Sequence, residues 1–341
     1  MTRSVTTTTD PGRAVTPDDS DVLPSGDRVP FVGDRVVVRY RLGDATPADW
    51  RGDASAALSD VTGILLDDGD PLVVDRDGPQ SIPRSAVVSI RQLSRVTVRN
   101  SEIRRLESAA ADGWPGTDTA TISGWMLRAG GGFTRRANSA LPLEFGSGTD
   151  ETTLAAVRGW YRARGLPTLV ALPERLVPAG QIDGRPVSGE IQMLVRDIEV
   201  GVENSPTPTN VRLDEAPTAA WLRAYRGPEV DVPTAAEVVA ASRGPVVFAS
   251  VGDAEPQAIG RATVTSSPDG ARWLGVSALW TAPSRRREGL ASSVLSALIA
   301  WGARQDATRI HVQVESENRT AGTWYRRHGF GLHHTSRYLE L

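Results

Sequence analysis

Cysteine is absent from the 341-residue chain. That excludes a disulfide frame, a thiolate metal centre and a cysteine nucleophile. Lysine is absent too: all 38 Lys+Arg positions are arginine. No lysine exists for Schiff-base chemistry, and a phosphate must be held by arginine or by backbone N–H groups. No apolar run approaches the roughly 20 residues that cross a bilayer; the longest lies around residues 294–301. The first residues lack the apolar centre of a secretory signal. A formal net charge of −3 leaves no basic excess, which argues against gripping a nucleic-acid backbone. These absences predict a soluble, cytoplasmic protein whose partners are neither membranes nor nucleic acids.

What is present is ordinary globular material: 40% hydrophobic and 23% charged residues. At about 150 residues per domain, the length predicts two to three domains. Residues 1–28 are rich in Thr, Ser, Asp, Pro and Gly. Such a segment buries too little apolar surface to offset its ordering entropy, so it reads as a disordered tail. Residues 29–98 carry short apolar runs at 35–42, 61–66, 71–75 and 85–90. Turn signals such as Asp68-Gly69-Asp70-Pro71 and Arg76-Asp77-Gly78-Pro79 separate them. The pattern predicts a small closed barrel that resembles SH3-like barrels.

In residues 99–208, Ile103, Leu106, Ala109 and Ala110 share a helical face that stops before Asp112. Strands are expected at 124–129, 138–143, 168–172 and 192–198. A helix over 153–164 is ended by Gly165. Residues 209–341 predict the order β-α-α-β-β-β-α-β-α-β, a mixed α/β layer fold.

The sharpest signal is the run Leu279-Trp-Thr-Ala-Pro-Ser-Arg-Arg-Arg-Glu-Gly-Leu-Ala291. A strand enters, Pro283 ends it, and a polar loop opens a helix striped by Leu290, Val294, Leu298 and Trp301. Such a loop aims free N–H groups at one point, and the helix end adds partial positive charge. Both suit a pyrophosphate. Arg285, Arg286 and Arg287 add charge-assisted donors, and Gly289 lets the backbone come close.

Arg286-x-x-Gly289-x-Ala291 resembles the Arg/Gln-x-x-Gly-x-Gly/Ala loop of the GCN5-related N-acetyltransferases. A second signature follows in order: Asn318, Ala321, then Tyr325-x-x-x-Gly329-Phe330. The resemblance implies acetyl-CoA as co-substrate, no metal, and direct transfer to an amine. It implies that backbone groups of Leu279, Trp280 and Thr281 pair with the pantetheine arm and polarise the thioester. It places Arg286, Arg287, Glu288, Gly289, Leu290 and Ala291 around the pyrophosphate, and Asn318 at the pantetheine or capping the next helix. Tyr325 is expected to protonate the departing thiolate. Glu315 is the first candidate for the base that deprotonates the acceptor, with Glu317 behind it. The family often has Gly where Arg287 stands and a basic residue where Glu288 stands. His311 reads as a mid-strand residue and His328 as lying on an exposed helix face, both structural. His333-His334 looks like half a metal site but lacks partners, and no metal is expected.

Trp160-Tyr161…Gly165 echoes Trp324-Tyr325…Gly329. Residues 99–208 are therefore expected to be a degenerate copy of the acetyltransferase lobe at 209–341, similar in arrangement to mycothiol synthase. Trp114-Pro-Gly, Gly124-Trp-x-Leu-Arg-Ala-Gly130 and Arg136-Ala-Asn-Ser-Ala140 resemble an actinobacterial family of two-lobed acetyltransferases associated with N-acetylglutamate synthase activity. That resemblance implies L-glutamate as acceptor, in the first step of arginine synthesis. It makes Arg128 and Arg136 candidate ligands for its carboxylates. Two alternatives stay open: an acetyltransferase with another amine acceptor, and a non-enzymatic acetyl-CoA-responsive binding protein. Oligomeric state is not read from the sequence.

Overall fold

The computed structural model describes residues 30–52, 55–94, 97–178 and 180–341; the expected tail at 1–28 lies outside them. The chain divides into two compact units, Met1–Leu93 and Ser94–Leu341.

The first unit holds β1 (Arg35–Arg41), β2 (Leu58–Asp67), β3 (Leu72–Asp75), β4 (Pro79–Ile82) and β5 (Val87–Leu93). They form an antiparallel sheet in the order β4-β3-β2-β1-β5. Period-2 alternation turns Val36, Val38 and Tyr40 of β1 inward, where they join Val61, Leu65, Leu72, Val74, Ile82 and Ile90 in one core. On the outer face Arg39 pairs with Asp60. β4 starts at Pro79, inside a turn signal; at a strand start the missing N–H costs no ladder bond. A 3-10 turn at Arg84–Ala86 leads from β4 to β5. Among the described residues no pairing joins β4 to β5, so a strand ladder does not make the expected closure.

The second unit begins with α1 (Asn100–Gly113), β6 (Asp118–Ile122), β7 (Trp125–Ala129), β8 (Leu141–Pro142) and α2 (Glu151–Arg162). It continues with β9 (Leu169–Pro173), β10 (Arg185–Pro186), β11 (Ile191–Asp197) and β12 (Arg212–Asp214). Then come α3 (Ala219–Arg226), α4 (Val232–Ala240), β13 (Val246–Val251), β14 (Ala258–Ser266) and β15 (Arg272–Thr281). It closes with α5 (Leu290–Ala303), β16 (Arg309–Glu315), α6 (Arg319–Arg327) and β17 (Gly331–Glu340). From β12 onward this is the element order the sequence predicts.

The large sheet runs β17-β11-β16-β15-β14-β13-β12, with β9 and β10 also on β17. Ser336 of β17 is opposite both Ile191 of β11 and Pro173 of β9, so those two strands flank it. β11 thus comes from the first half of the unit yet sits between two strands of the second. Its Leu194, fully buried, faces Val312 on one side and Leu332 on the other. The expected boundary at 208/209 falls inside one compact unit.

Each half repeats one plan. A three-stranded antiparallel meander (β6-β7-β8; β13-β14-β15) is followed by a helix (α2; α5). A strand parallel to the meander's last strand comes next: β9 by the Ala140↔Val170 bridge, β16 by its ladder with β15. The last strand of each half then lies against the other half's parallel strand, β11 on β16 and β17 on β9. The Trp160-Tyr161 echo is corrected by this plan. It sits on α2, which occupies the place of α5, not of α6. Tyr161 is fully buried and donates to the Arg128 carbonyl at 3.1 Å, a packing role.

α5 covers the sheet with Val294, Leu295 and Leu298, all within the core shared by Val276, Ile310 and Val312. It comes close enough that a Cβ on Gly260 would meet Val294 Cγ1 at 2.7 Å. Among the described residues, no helix is long and apolar enough to cross a membrane.

Because β16 and β17 both lose β11, the strand that pairs between them, residues 209–341 produced alone should show no cooperative thermal transition by circular dichroism. Leu194→Ala in the full chain should lose about 2–5 kcal/mol in urea denaturation. A cooperative melt from 209–341 would contradict this account of the sheet.

Candidate active site

β15 and β16 are paired in parallel only from Trp273↔Arg309 to Val276↔Val312. Beyond that point each strand stays paired on its other side: β15 to β14 as far as Thr281, β16 to β11 as far as Glu315. The two strands therefore part and leave a wedge in the sheet. At its mouth β15 is bulged. Gly260 of β14 faces two residues, Ala278 and Leu279, and Ala278 takes φ +52°. A bulge leaves one residue outside the ladder and turns its polar groups elsewhere. Leu279 joins the apolar core under α5, whereas Trp280 packs with α3 and α4 residues.

After Thr281 a 3-10 turn, Pro283–Arg285, leads to the start of α5. Gly289 is its N-cap, at φ +82° and with no side-chain cap. The first N–H groups of α5 thus lack the usual internal acceptor. Arg286 and Arg287 are exposed, and among the described residues neither has an ion-pair partner. Glu288 is tied to Arg285 at 2.8 Å, so its charge is neutralised locally, not aimed at the helix end. Arg287 takes φ +69°. This is the left-handed region, which explains why glycine suits the position. The corresponding helix of the first half differs. α2 is capped by its own Asp150, which accepts from Thr153 N at 3.0 Å, and Glu151 opens its first turn. That helix end already holds anions.

On the α5 side of the wedge stands Tyr325 of α6, buried against Trp324 and Phe330 with ring centroids 5.0 and 5.2 Å away. Burial raises its phenol above the ordinary value, with the nearby Arg136 opposing. Asn318 caps α6, its side-chain oxygen accepting from Ala321 N at 3.1 Å. Of the two roles the sequence offered it, the geometry displays the helix cap. His328 is corrected: it is half-buried, not on an open face. Its Nδ1 donates to the Trp324 carbonyl at 2.8 Å, and Ser292 of α5 reaches its Nε2 at 3.2 Å. The ring ties the end of α6 to the first turn of α5.

The α1 side of the wedge is built by the first half. Trp114, at the end of α1, is buried and donates from Nε1 to Ser277 Oγ at 3.3 Å. Arg136 donates from Nε to Gln313 at 2.7 Å and lies 5.4 Å over the Trp114 ring. Ser277 and Gln313 are the first residues past the last ladder pair on each strand. Arg136 and Trp114 therefore span the mouth. Arg261 stacks on the same ring at 4.3 Å, fully buried and bonded to the carbonyls of Val239, Gly113 and Ala241. Burial pulls it down to about 9, and Arg136 adds to the effect. Burial, again with Arg136, lowers His311 to about 4, so its ring is neutral.

Arg128 of β7 is buried and bonded to Ser139, which ties the strand to the segment before β8. Glu315 is exposed and ion-paired to Arg135 at 2.6 Å. Glu317 packs against Gly189. The His333-His334 pair does have a partner: His334 meets the buried Glu107 at 2.8 Å. No group of metal-ligating residues forms among the described residues. Trp114, Ser277 and Gln313 were not singled out as site residues. Trp114 stands in the Trp-Pro-Gly motif, and Gln313 shares a face of β16 with His311 by alternation; Ser277 carries no signal of its own.

The family described as "Probable histone acetyltransferase Rv0428c C-terminal" matches residues 100–339. A relative from Mycobacterium tuberculosis, named a probable histone acetyltransferase, is 36% identical over 316 residues. The alignment covers 91% of this chain and 95% of the relative. The chain belongs to this family of GCN5-related N-acetyltransferases. It is an N-acetyltransferase. A Bacillus subtilis protein named an uncharacterized N-acetyltransferase is 26% identical over 245 residues, covering 67% of this chain and 94% of its own. Among solved structures, a GCN5-related N-acetyltransferase from Kribbella flavida overlaps 70% of this chain and 94% of its own, at TM-score 0.47 and 17% identity.

The backbone of the loop yields a stability test. Arg287→Gly should relieve roughly 1–2 kcal/mol of left-handed strain and raise the melting temperature by a few degrees. Gly289→Ala has open space around its Cβ, so it should add only that strain and lower the melt correspondingly. Opposite shifts in a thermal denaturation assay are the expected result; equal shifts would remove the strain argument.

Proposed function

We propose that the protein transfers the acetyl group of acetyl-CoA directly to a primary amine, in a ternary complex at the wedge between β15 and β16. The observation that carries this reading is the coincidence of three features at one parting of strands. These are an uncapped helix end flanked by unpaired arginines, a bulge that frees strand backbone, and a protonated, buried tyrosine opposite. In this reading the N–H groups opening α5, with Arg286 and Arg287, take the pyrophosphate. The strand edge from Leu279 to Thr281 takes the pantetheine arm. The amine nitrogen attacks the thioester carbon, and the new oxyanion is held by backbone N–H at the bulge. Collapse breaks the C–S bond, and Tyr325 gives its proton to the sulfur. The surplus proton on nitrogen leaves through Glu315, whose carboxylate stands at the open end of β16. Tyr325 recovers its proton from solvent.

Two acceptor readings remain. The resemblance to two-lobed enzymes favours the α-amino group of L-glutamate. The name of the mycobacterial relative favours a protein amine. The shared plan of the two halves supports reading residues 99–208 as a degenerate acetyltransferase lobe. Asp150 at the head of α2 explains why that lobe would bind no second acetyl-CoA. Strand order and the 3-10 turn before β5 support an SH3-like reading of residues 30–93.

Tyr325→Phe should lower kcat for thiol release by about 100-fold or more, with acetyl-CoA affinity changed less than threefold. Thiol release is followed with a chromogenic disulfide, and affinity by calorimetry. Unchanged kcat would remove Tyr325 from the reaction.

A further inference from the structure

Exposed apolar side chains are not spread evenly over the molecule. Of the eight large ones among the described residues, six lie in the first unit, Trp50, Leu58 and Ile64 among them. The unit has a core of its own, so this exposure is not a failure to pack. Three strands set part of it in register. On their outward face Leu58 of β2 stands opposite Arg41 of β1, Asp60 opposite Arg39, and Ile64 opposite Arg35. On the other side of β1, Arg91 of β5 stands opposite Val37. Cross-strand neighbours on one face are about 5 Å apart. The face therefore interleaves guanidinium groups with aliphatic carbon.

The charge of this face runs against that of its unit. Residues 30–93 hold ten aspartates, seven arginines, and no glutamate or lysine. Four of the arginines are on the face, and Asp60 lies among them. Asp60 is already engaged: Arg39 donates to it twice at 2.9 Å. That contact holds its carboxyl below the ordinary value, and Arg51 and Arg91 pull the same way. Arg41 and Arg91 are exposed, and among the described residues neither has a carboxylate within 4 Å. Beyond β2 the sign reverses. Asp75 of β3 stands opposite Ile64, and Asp67, Asp68, Asp70 and Asp77 fill the adjoining turns. The cationic footprint is thus three strands wide. Near it stands Trp50, 61% exposed, with Arg51 and Arg76 at 5.4 and 5.7 Å from its ring.

We propose that the outward face of β2, β1 and β5 docks a short acidic segment of a partner protein, one in which carboxylates alternate with large aliphatic side chains. Charge complementarity selects the sign. The carboxylates meet Arg41 and Arg91, and the aliphatic groups cover Leu58 and Ile64, whose exposure then has a purpose. Two observations favour a peptide over a nucleic acid or a lipid surface. No aromatic ring stands among these outward residues, so bases find nothing to stack on. A long polyanion or an anionic bilayer would also overrun the footprint and meet the aspartates beyond β2. A short segment stays within it. The docking is independent of the transfer chemistry and gives the first unit a task of its own, the recruitment of a partner.

The test uses the full chain and a fluorescent dodecapeptide of equal parts Asp, Leu and Ser. One control peptide has Asn for every Asp, and another has Ser for every Leu. Fluorescence anisotropy with wild type should show the acidic, aliphatic peptide bound about tenfold or more tighter than either control. Arg41→Ser combined with Arg91→Ser should weaken that binding about tenfold, and the same pair changed to Lys much less. Leu58→Ser should weaken it about threefold. These side chains are exposed and belong to the first unit, so thermal melts and thiol release from acetyl-CoA should hold at wild-type values in every variant. No binding of the acidic peptide, equal binding of the Asn control, or indifference to the arginine changes would overturn the docking face. So would tighter binding of oligothymidylate or of phosphatidylglycerol vesicles than of the peptide, or a loss of binding that tracks a lowered melt. Each of these leaves acetyl transfer intact. Arginine-dependent peptide binding by a chain that acetylates no amine would do the reverse: the docking face stands and the transfer reading falls.

Discussion

The parting of β15 and β16 is the constraint on which the rest depends. Two parallel strands that stop pairing expose backbone donors and acceptors to the interior of a sheet, where unpaired groups are costly. The molecule tolerates this only because neither strand is loose. β15 is held along its length by β14, and β16 by β11, up to the very residues that border the wedge. The strand that holds β16 open is not its sequence neighbour but a loan from the other half. The cleft is thus a property of the two halves together, and its rigidity comes from the buried register around Leu194.

The two sides of the wedge divide the chemistry. On the α5 side, apolar packing fixes Tyr325 through Trp324, Phe330 and the Ser292–His328 contact. On the α1 side, arginines and a tryptophan dominate. The heads of α2 and α5 differ by a single capping carboxylate. One carboxylate, Asp150, occupies the orphan donors of α2; Gly289 leaves those of α5 bare.

Much of this was legible in the chain. Residues 209–341 spelled out their element order because most of the strands are apolar runs bounded by turn signals and the long helix α5 carries an apolar stripe. The loop at 283–289 was readable because only glycine, proline and repeated arginine make that pattern between a strand and a helix. Other parts were hidden for physical reasons. β8 pairs over only Leu141–Pro142, too short for a period, although a longer strand was expected there. β6 is mostly exposed and polar, so it lacks the apolar signature. The exchange of β11 and β17 left no local trace, since a buried strand reads the same whichever neighbours it finds. The α1-side residues of the site went unnoticed because Trp114, Ser277 and Gln313 acquire meaning only when distant segments meet.

The exchange has a consequence for how the chain comes off the ribosome. β9 is bridged to Ala140 on one side but receives its antiparallel partner only when β17 has been made, and β16 finds β11 already waiting. The first half therefore emerges with an apolar strand edge uncovered for as long as the second half takes to synthesise. Edges of that kind invite pairing with other nascent chains. Such a protein completes its sheet late and through long-range contacts.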